Sequence, residues 1–327
     1  MVKLDVNDYK ILYYLDINSR QSLRIIGNKV RLPKSVVQYR IKRLEQKGII
    51  KNFYTAIDFY KLGYINIGIH ICYQYYTPEI EHNIIKHFQQ NNQTWFIANI
   101  QGKYDLIVMF TVKNIHQFFS FWKNTLHKFR NNFQNAEISF YPRTYYFPKT
   151  YLSFQSNNLR NENNIIVDGS DISRIDNMDY KILMEIALHS RKPLTEIAKK
   201  YHVSSAMIAN RIRNLEKQSI IKGYKINVDY AKLGLQLFNV QYTLKNYENI
   251  HKIINYVKNQ PNLISVSEVI GNFDLSMNFH IKDFDTLHLI INDILIHFPD
   301  DIKNRITLSY PEIYKHNYMP KIQTKMI

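Results

Sequence analysis

An α+β chain made of two copies of one two-part module is predicted for this sequence, on three observations. Leu4 aligns with Ile175, and every following residue keeps the same offset without a gap through Gly63 and Gly234. Within each copy, basic amphipathic helical stretches give way near a Lys-Leu-Gly junction to a hydrophobic period of two. The second halves then match with small length changes: Gly102, Asp105 and Leu106 fall on Gly271, Asp274 and Leu275, and Ser139 with Pro142 on Ser309 with Pro311.

Each copy opens with helices. Tyr9, Leu12, Tyr13 and Asp16 share a helical face, and Leu23, Ile26 and Val30 form the stripe of a shorter helix. Residues 33–48, PKSVVQYRIKRLEQKG, place Val37, Ile41 and Leu44 at i, i+4 and i+7. Arg31-Leu32-Pro33 is short enough only for a tight turn, so the last two helices read as a helix-turn-helix. Gly48 stands where a left-handed cap is wanted, with Ser219 at the same place in copy two. Residues 49–58 then turn extended, as a wing does.

From Gly63, Ile65, Ile67, Ile69 and Ile71 alternate with Asn66, Gly68, His70 and Cys72 as a half-buried strand, with residues 239–244 as its counterpart. Helices follow at 79–90 and 248–259, strands at 95–100 and 105–112 against 263–270 and 274–281, helices at 115–130 and 284–297, and closing strands near 138–146 and 306–314. That order, βαββαβ, is a ferredoxin-like sandwich with helices on one face of an antiparallel sheet. The expected domains are two winged helix-turn-helix heads at 1–62 and 173–233, two sheet domains at 63–153 and 234–327, and a polar linker at 154–172, whose one apolar run is Ile165-Ile166-Val167.

A formal charge of +16 and a pI near 9.5 favour a polyanionic partner, nucleic acid or an anionic membrane surface. The lone cysteine, Cys72, excludes an internal disulfide and a multi-cysteine zinc site, and points to a reducing, intracellular compartment. No signal-peptide core opens the chain, and the apolar runs at 65–71 and 287–296 are short and broken by Asn66, Asn292 and Asp293, so the reading is cytoplasmic with no membrane partner. No phosphate-cradling loop, nucleophile elbow or paired-carboxylate signature is present, and His82 with His87 is wrongly spaced for a metal; neither a cofactor nor an enzyme is expected.

The second helix of each helix-turn-helix carries the candidate DNA contacts. Lys34, Ser35, Gln38, Tyr39, Lys42 and Arg43 lie off the apolar stripe, and the first five fall by the offset on Ser205, Ala206, Ala209, Asn210 and Arg213. Gln38 suits adenine, and Lys34 or Lys42 suits guanine or phosphate; copy two relies on Asn210 and Arg213, with Ala206 and Ala209 able to touch a thymine methyl. Unequal heads predict an imperfect palindrome in double-stranded DNA. Arg40 and Arg211 suit phosphate or an intrahelical pair, and Lys47, Lys51, Lys217 and Lys222 extend the positive face. The row Phe118, Phe119, Phe121, Trp122 and Phe129 reads as core and subunit interface.

These motifs resemble the leucine-responsive/asparagine regulators, the Lrp/AsnC or feast/famine family. The residues that carry the resemblance are Leu4-Asp5 with the run from Asp8 to Leu12, the run from Leu32 to Glu45, Gly48-Ile49-Ile50, Asp58 with Lys61-Leu62-Gly63, and the turn Gly102-Lys103-Tyr104-Asp105. The resemblance implies a transcription factor that forms homo-oligomers through its sheet domains, here with a covalent pseudo-dimer as the unit. It also implies a small-molecule, amino-acid-like effector at the turns Gly102, Lys103, Tyr104, Asp105 and Gly271, Asn272, Phe273, Asp274. The residue after the turn glycine, usually acidic in the family, is Lys103 or Asn272 here, and a lysine repels an ammonium group. Double-module relatives also resemble siroheme decarboxylases, but residues 51–58 and 98–102 lack the Arg- and His-rich character those look to carry. A third reading is a ligand sensor that does not touch DNA, for which the less basic copy-two head is the better candidate.

Overall fold

The computed structural model describes residues 3–153, 164–169 and 171–317. Each head has three helices: α1 (Val6–Ile17), α2 (Leu23–Val30) and α3 (Lys34–Gln46) in copy one. In copy one, strand β1 (Ile50–Ile57) leads to a sheet unit of β2 (Ile65–Tyr73), α4 (Pro78–Gln90), β3 (Thr94–Asn99), β4 (Leu106–Val112), α5 (Ile115–Phe129) and β5 (Phe133–Tyr146). After β6 (Ile165–Val167), copy two repeats the head as α6 (Asn177–Ala187), α7 (Leu194–Tyr201), α8 (Ser205–Lys217) and β7 (Ile221–Val228). Its sheet unit is β8 (Gln236–Leu244), α9 (Ile250–Val257), β9 (Leu263–Ile270), β10 (Leu275–Ile281), α10 (Phe284–His297), β11 (Ile302–Ser309) and β12 (Ile313–His316).

Local chemistry explains the helix starts. Asp5 and Asp8 form a reciprocal capping box on α1, and Asp176 and Asp179 repeat it on α6. Thr77 caps α4 with Pro78 in the first turn, while Asn114 and Asp283 cap α5 and α10. Gly48 and Ser219 both adopt positive φ after α3 and α8, 63° and 55°, so copy two holds a serine in a conformation that costs an L-residue about 1 kcal/mol. Arg31 and His202 are also left-handed, at the turns between the paired helices, where no glycine or asparagine marked them.

The wing departs from expectation. β1 does not fold back on its own head; it pairs antiparallel with β7 of the other copy, from Ile50 opposite Val228 to Ile57 opposite Ile221. The exchange is reciprocal in the cores. Ile226 and Val228 of β7 pack with Ile11, Leu12, Val37 and Leu44 of the first head, while Ile57 of β1 packs with Ile182, Ile208 and Leu215 of the second. A strand cannot bury one face and satisfy its backbone in isolation, and each wing finds both needs in the other copy.

The sheet units show the same reciprocity. Each orders its strands β5-β2-β4-β3 or β11-β8-β10-β9, the ferredoxin-like pattern. Beyond Pro142, β5 leaves its own sheet and pairs with β9; beyond Pro311, β12 pairs with β3. The closing strand of copy two is thus two strands rather than one, because Tyr310-Pro311-Glu312 interrupts the ladder where proline has no N–H to give. β5 starts earlier than expected, at Phe133, and α9 starts later, at Ile250, after a short 3-10 turn. The sheets face one another across Ile107, Met109, Tyr141, Phe273 and Leu308, while helices cover their outer faces. Gly68 is required there, since a Cβ would lie 2.7 Å from the Tyr141 ring. Phe118 is core and stacks with Trp122, whereas Phe119 is exposed.

Two contacts mark the pseudo-two-fold axis, because each joins equivalent positions of the copies. Ser19 and Ser190 hydroxyls meet at 2.7 Å between the heads, and His70 Nε2 meets Gln241 Nε2 at 3.0 Å between the sheets. Ser19 N–H donates to the Tyr224 carbonyl and Ser190 N–H to that of Phe53, so the axis is also pinned to the ribbon.

Because the first head borrows Ile226 and Val228, residues 3–153 alone are expected to form a dimer through β1, not a folded monomer, as read by light scattering on a sizing column. In the full chain, Ile226→Ala should cost roughly 3 kcal/mol in chemical denaturation, with the loss seen at Tyr13 in the first head.

Candidate nucleic-acid interface

α3 presents Lys34, Ser35, Gln38, Tyr39 and Lys42 to solvent, with Tyr39 66% exposed, while Val37, Ile41 and Leu44 are buried. The face is made by packing: the apolar stripe seats α3 on α1 and α2, and the remaining positions must point away.

Two arginines of α3 are anchored to the first helix of the head. Arg40 does not pair within its helix. Its guanidinium reaches Asp5 at 2.7 Å and Asp8 at 2.8 Å, and Arg43 reaches Asp8 at 2.5 Å, all at the start of α1. Asp8 is almost fully buried, so the arginines balance a carboxylate already engaged in a cap. Burial opposes ionisation of Asp5, yet Arg40 and the cap hold its pKa below the usual value, and Asp5 in turn raises that of Arg40. Arg211 repeats the arrangement with Asp176 at 2.6 Å and Asp179 at 2.9 Å. The shared arginine therefore locks the recognition helix to the first helix in both heads.

On α8, Ser205 is half-buried, and Asn210 and Arg213 are exposed. Arg213 donates to the Asn210 side-chain oxygen, so the two form one polar unit. Of the outlying lysines, Lys47 and Lys217 are exposed, whereas Lys51 and Lys222 are ion-paired across the ribbon to Asp229 and Asp58 at 3.4 and 3.5 Å.

The glycine turns sit at the seam between the sheets. Gly102 packs on Thr307 and Leu308, and Gly271 on Ser139, each against the other copy's closing strand. Tyr104 and Phe273 are buried in the inter-sheet core, while Lys103 and Asn272 are exposed. Asp105 and Asp274 each accept a backbone N–H at 2.7 Å, from Tyr73 and Leu244, and so fix the turn. Glu137, which no sequence pattern singled out, receives Lys103 Nζ at 2.8 Å and the Tyr104 hydroxyl. Burial opposes its ionisation, but Lys103, Tyr104 and Asn272 outweigh it and lower its pKa. The carboxylate is supplied by the neighbouring strand, and Lys103 answers it.

With the geometry established, comparison with known proteins adds a lineage. A winged helix-turn-helix DNA-binding family matches residues 4–51 and again 175–222. The HTH-type transcriptional regulator Ptr1 of Methanocaldococcus jannaschii is 30% identical over 112 residues, which span 34% of this chain and 74% of that protein. The chain belongs to the Lrp/AsnC family. The regulatory protein AsnC of Haemophilus influenzae is 27% identical over 41% of this chain and 89% of its own length, and the regulator LrpB of Bacillus subtilis 24% over 44% and 93%. Each match has about the length of one copy, so this Lrp/AsnC chain carries the family module twice. Over its full length it shares its fold with the siroheme decarboxylase NirDL, at a TM-score of 0.66 and 11% identity, covering 96% of this chain and 94% of that one.

The two kinds of arginine and polar residue should separate experimentally. Arg40→Ala should lower stability by roughly 3 kcal/mol, because it leaves the buried Asp8 carboxylate undercompensated. Gln38→Ala should leave the thermal midpoint within about 1 °C of wild type, since its side chain is exposed. Differential scanning calorimetry on both variants checks the pair.

Proposed function

We propose that this Lrp/AsnC chain is a cytoplasmic, sequence-specific regulator that binds one DNA duplex with two unequal heads and acts through binding rather than catalysis. The observation that carries the reading is the reciprocal wing ribbon: it ties two solvent-facing helices of recognition type into one body with an approximate two-fold axis, the symmetry of a palindromic operator. Gln38, Tyr39, Lys34, Ser35 and Lys42 face the groove from one head, and Asn210, Arg213 and Ser205 from the other. Arg40, Arg43 and Arg211 position these helices. The unequal side chains favour an operator with two different halves.

The seam at Gly102, Lys103, Tyr104, Asp105 and Gly271, Asn272, Phe273, Asp274 is the place we assign to an amino-acid-like effector, with Glu137 answering an ammonium group once Lys103 moves aside. Exposed apolar side chains on the outer helices, Phe119 on α5 and Leu289 and Ile296 on α10, support self-association into larger homo-oligomers. No helix among the described residues is long and apolar enough to cross a membrane.

The full-length likeness to NirDL favours a second reading, a tetrapyrrole-acting enzyme on the same double module, and one titration separates them. Fluorescence anisotropy on fragments of the gene's upstream region, across a salt series, should show one fragment preferred over bulk competitor. Gln38→Ala/Lys42→Ala should remove most of that preference, about 1–3 kcal/mol per lost base contact. Equal weak binding on every fragment, with a saturable Soret shift on adding iron uroporphyrin, would favour the enzyme.

A further inference from the structure

A cavity of about 290 Å³ lies between the wing ribbon and the inner faces of the two sheets. Its walls come from β1, β6 and β7 and from the strands of both sheet units, β2 to β5, β8 to β10 and β12; neither the glycine turns nor the recognition helices contribute. An apolar cavity of roughly 150 Å³ already holds benzene, and drug-sized pockets begin near 300 Å³. The space therefore suits a molecule of one or two rings.

The charges around it do not balance. Lys149 and Lys225 both line the cavity, and among the described residues the carboxylate paired with them is Asp16, fully buried behind the wall. Lys149 takes both Asp16 oxygens, with Nζ at 2.6 Å from one and its backbone N–H at 2.9 Å from the other. Lys225, 4% exposed, is left 3.9 Å from Asp16 with no hydrogen bond to its ammonium. Burial pushes the nearby histidines down, His280 to about 3 and His70 and His316 to about 4; it also lowers the Lys225 pKa, with Lys149 adding to the effect and Asp16 opposing it, so a ligand carboxylate would favour the Lys225 ammonium.

Lys225, whose ammonium is held only by the long ion pair to Asp16, is not alone in lacking a hydrogen bond among the described residues. Asn239 Oδ1, His70 Nδ1 and Trp95 Nε1 line the same cavity, are buried, and make no hydrogen bond among the described residues. Buried polar groups are nearly always paired, so several atoms without a hydrogen bond around one cavity, one of them on a lysine, mark a place that expects an occupant. Phe96, Ile107, Met109 and Leu237 supply the apolar remainder.

We propose that this cavity is a ligand site for a small aromatic monocarboxylate, its carboxylate paired with Lys225 and its ring against Ile107, Met109 and Leu237. The site is separate from the glycine turns, and it is read without DNA, so its fate does not depend on the regulatory function. A ligand here touches ribbon and sheets together, the two parts that set how the heads sit.

The test uses the full chain with benzoate and indole-3-acetate as probes, their neutral amides as controls, and [¹³C-methyl]methionine NMR as readout. Met109 lines the cavity while Met277 lies in the core behind the sheet, so benzoate or indole-3-acetate should shift the Met109 methyl saturably and leave that of Met277 in place. The amides should bind at least about tenfold more weakly, and Lys225→Leu should weaken the acids by a similar factor, about 1.4 kcal/mol. Lys225→Leu removes a buried charge and is expected to fold, and the wild-type acid-against-amide comparison stands without it. No Met109 shift up to about 10 mM acid, equal binding of acid and amide, or unchanged acid binding by Lys225→Leu would overturn the proposal.

Discussion

The antiparallel pairing of β1 with β7 is the constraint on which the rest of the molecule depends. Each wing supplies backbone partners to the other and side chains to the other's head, so neither copy completes its core alone. The ribbon also anchors the axis contact at Ser19 and Ser190 and forms one wall of the central cavity. Arg20 and Arg191 strengthen it, each lying over an aromatic ring of the other copy, Tyr224 or Phe53, and donating to a backbone carbonyl across the axis. Removing any one of these groups therefore loosens two domains rather than one.

The sheet domains obey the same logic by a different device. A proline at the same place in each closing strand ends pairing with its own sheet, and the continuation pairs with the other copy. The bend explains why the turn glycines matter even without a ligand, since they let that strand approach. Duplication within one chain then permits divergence: Gln241 meets His70 on the axis, and Asn210 replaces Tyr39 on the exposed face of the last head helix, with no need to satisfy a self-complementary contact.

Much of this was legible from the residues. The constant offset exposed the duplication, and the periods of Val37, Ile41 and Leu44 and of Ile65 through Ile71 located helix and strand, because each depends on neighbours within a few positions. Partners distant in the chain were not. β1 reads as a strand but does not say with what it pairs, and Arg40 reads as cationic but does not reveal the carboxylates of α1 beneath it. Asp16 on an apolar helical face, Glu137 on a strand and Lys225 on the ribbon carry no periodic signal, since their roles arise only when far segments meet. The left-handed Arg31 was equally silent, arginine having no preference for that conformation, and His202, of a type enriched there, was too weak a signal to mark the turn.

Hydroxyl-radical footprinting of the full chain on its preferred fragment tests the central claim, that two linked and unequal heads bind one duplex. The account predicts two protected patches on one face of the DNA, about one helical turn or 34 Å apart, of unequal strength, with Asn210→Ala/Arg213→Ala erasing only one of them. A single patch in the wild type, or loss of both patches together in a variant that keeps its fold, would contradict it.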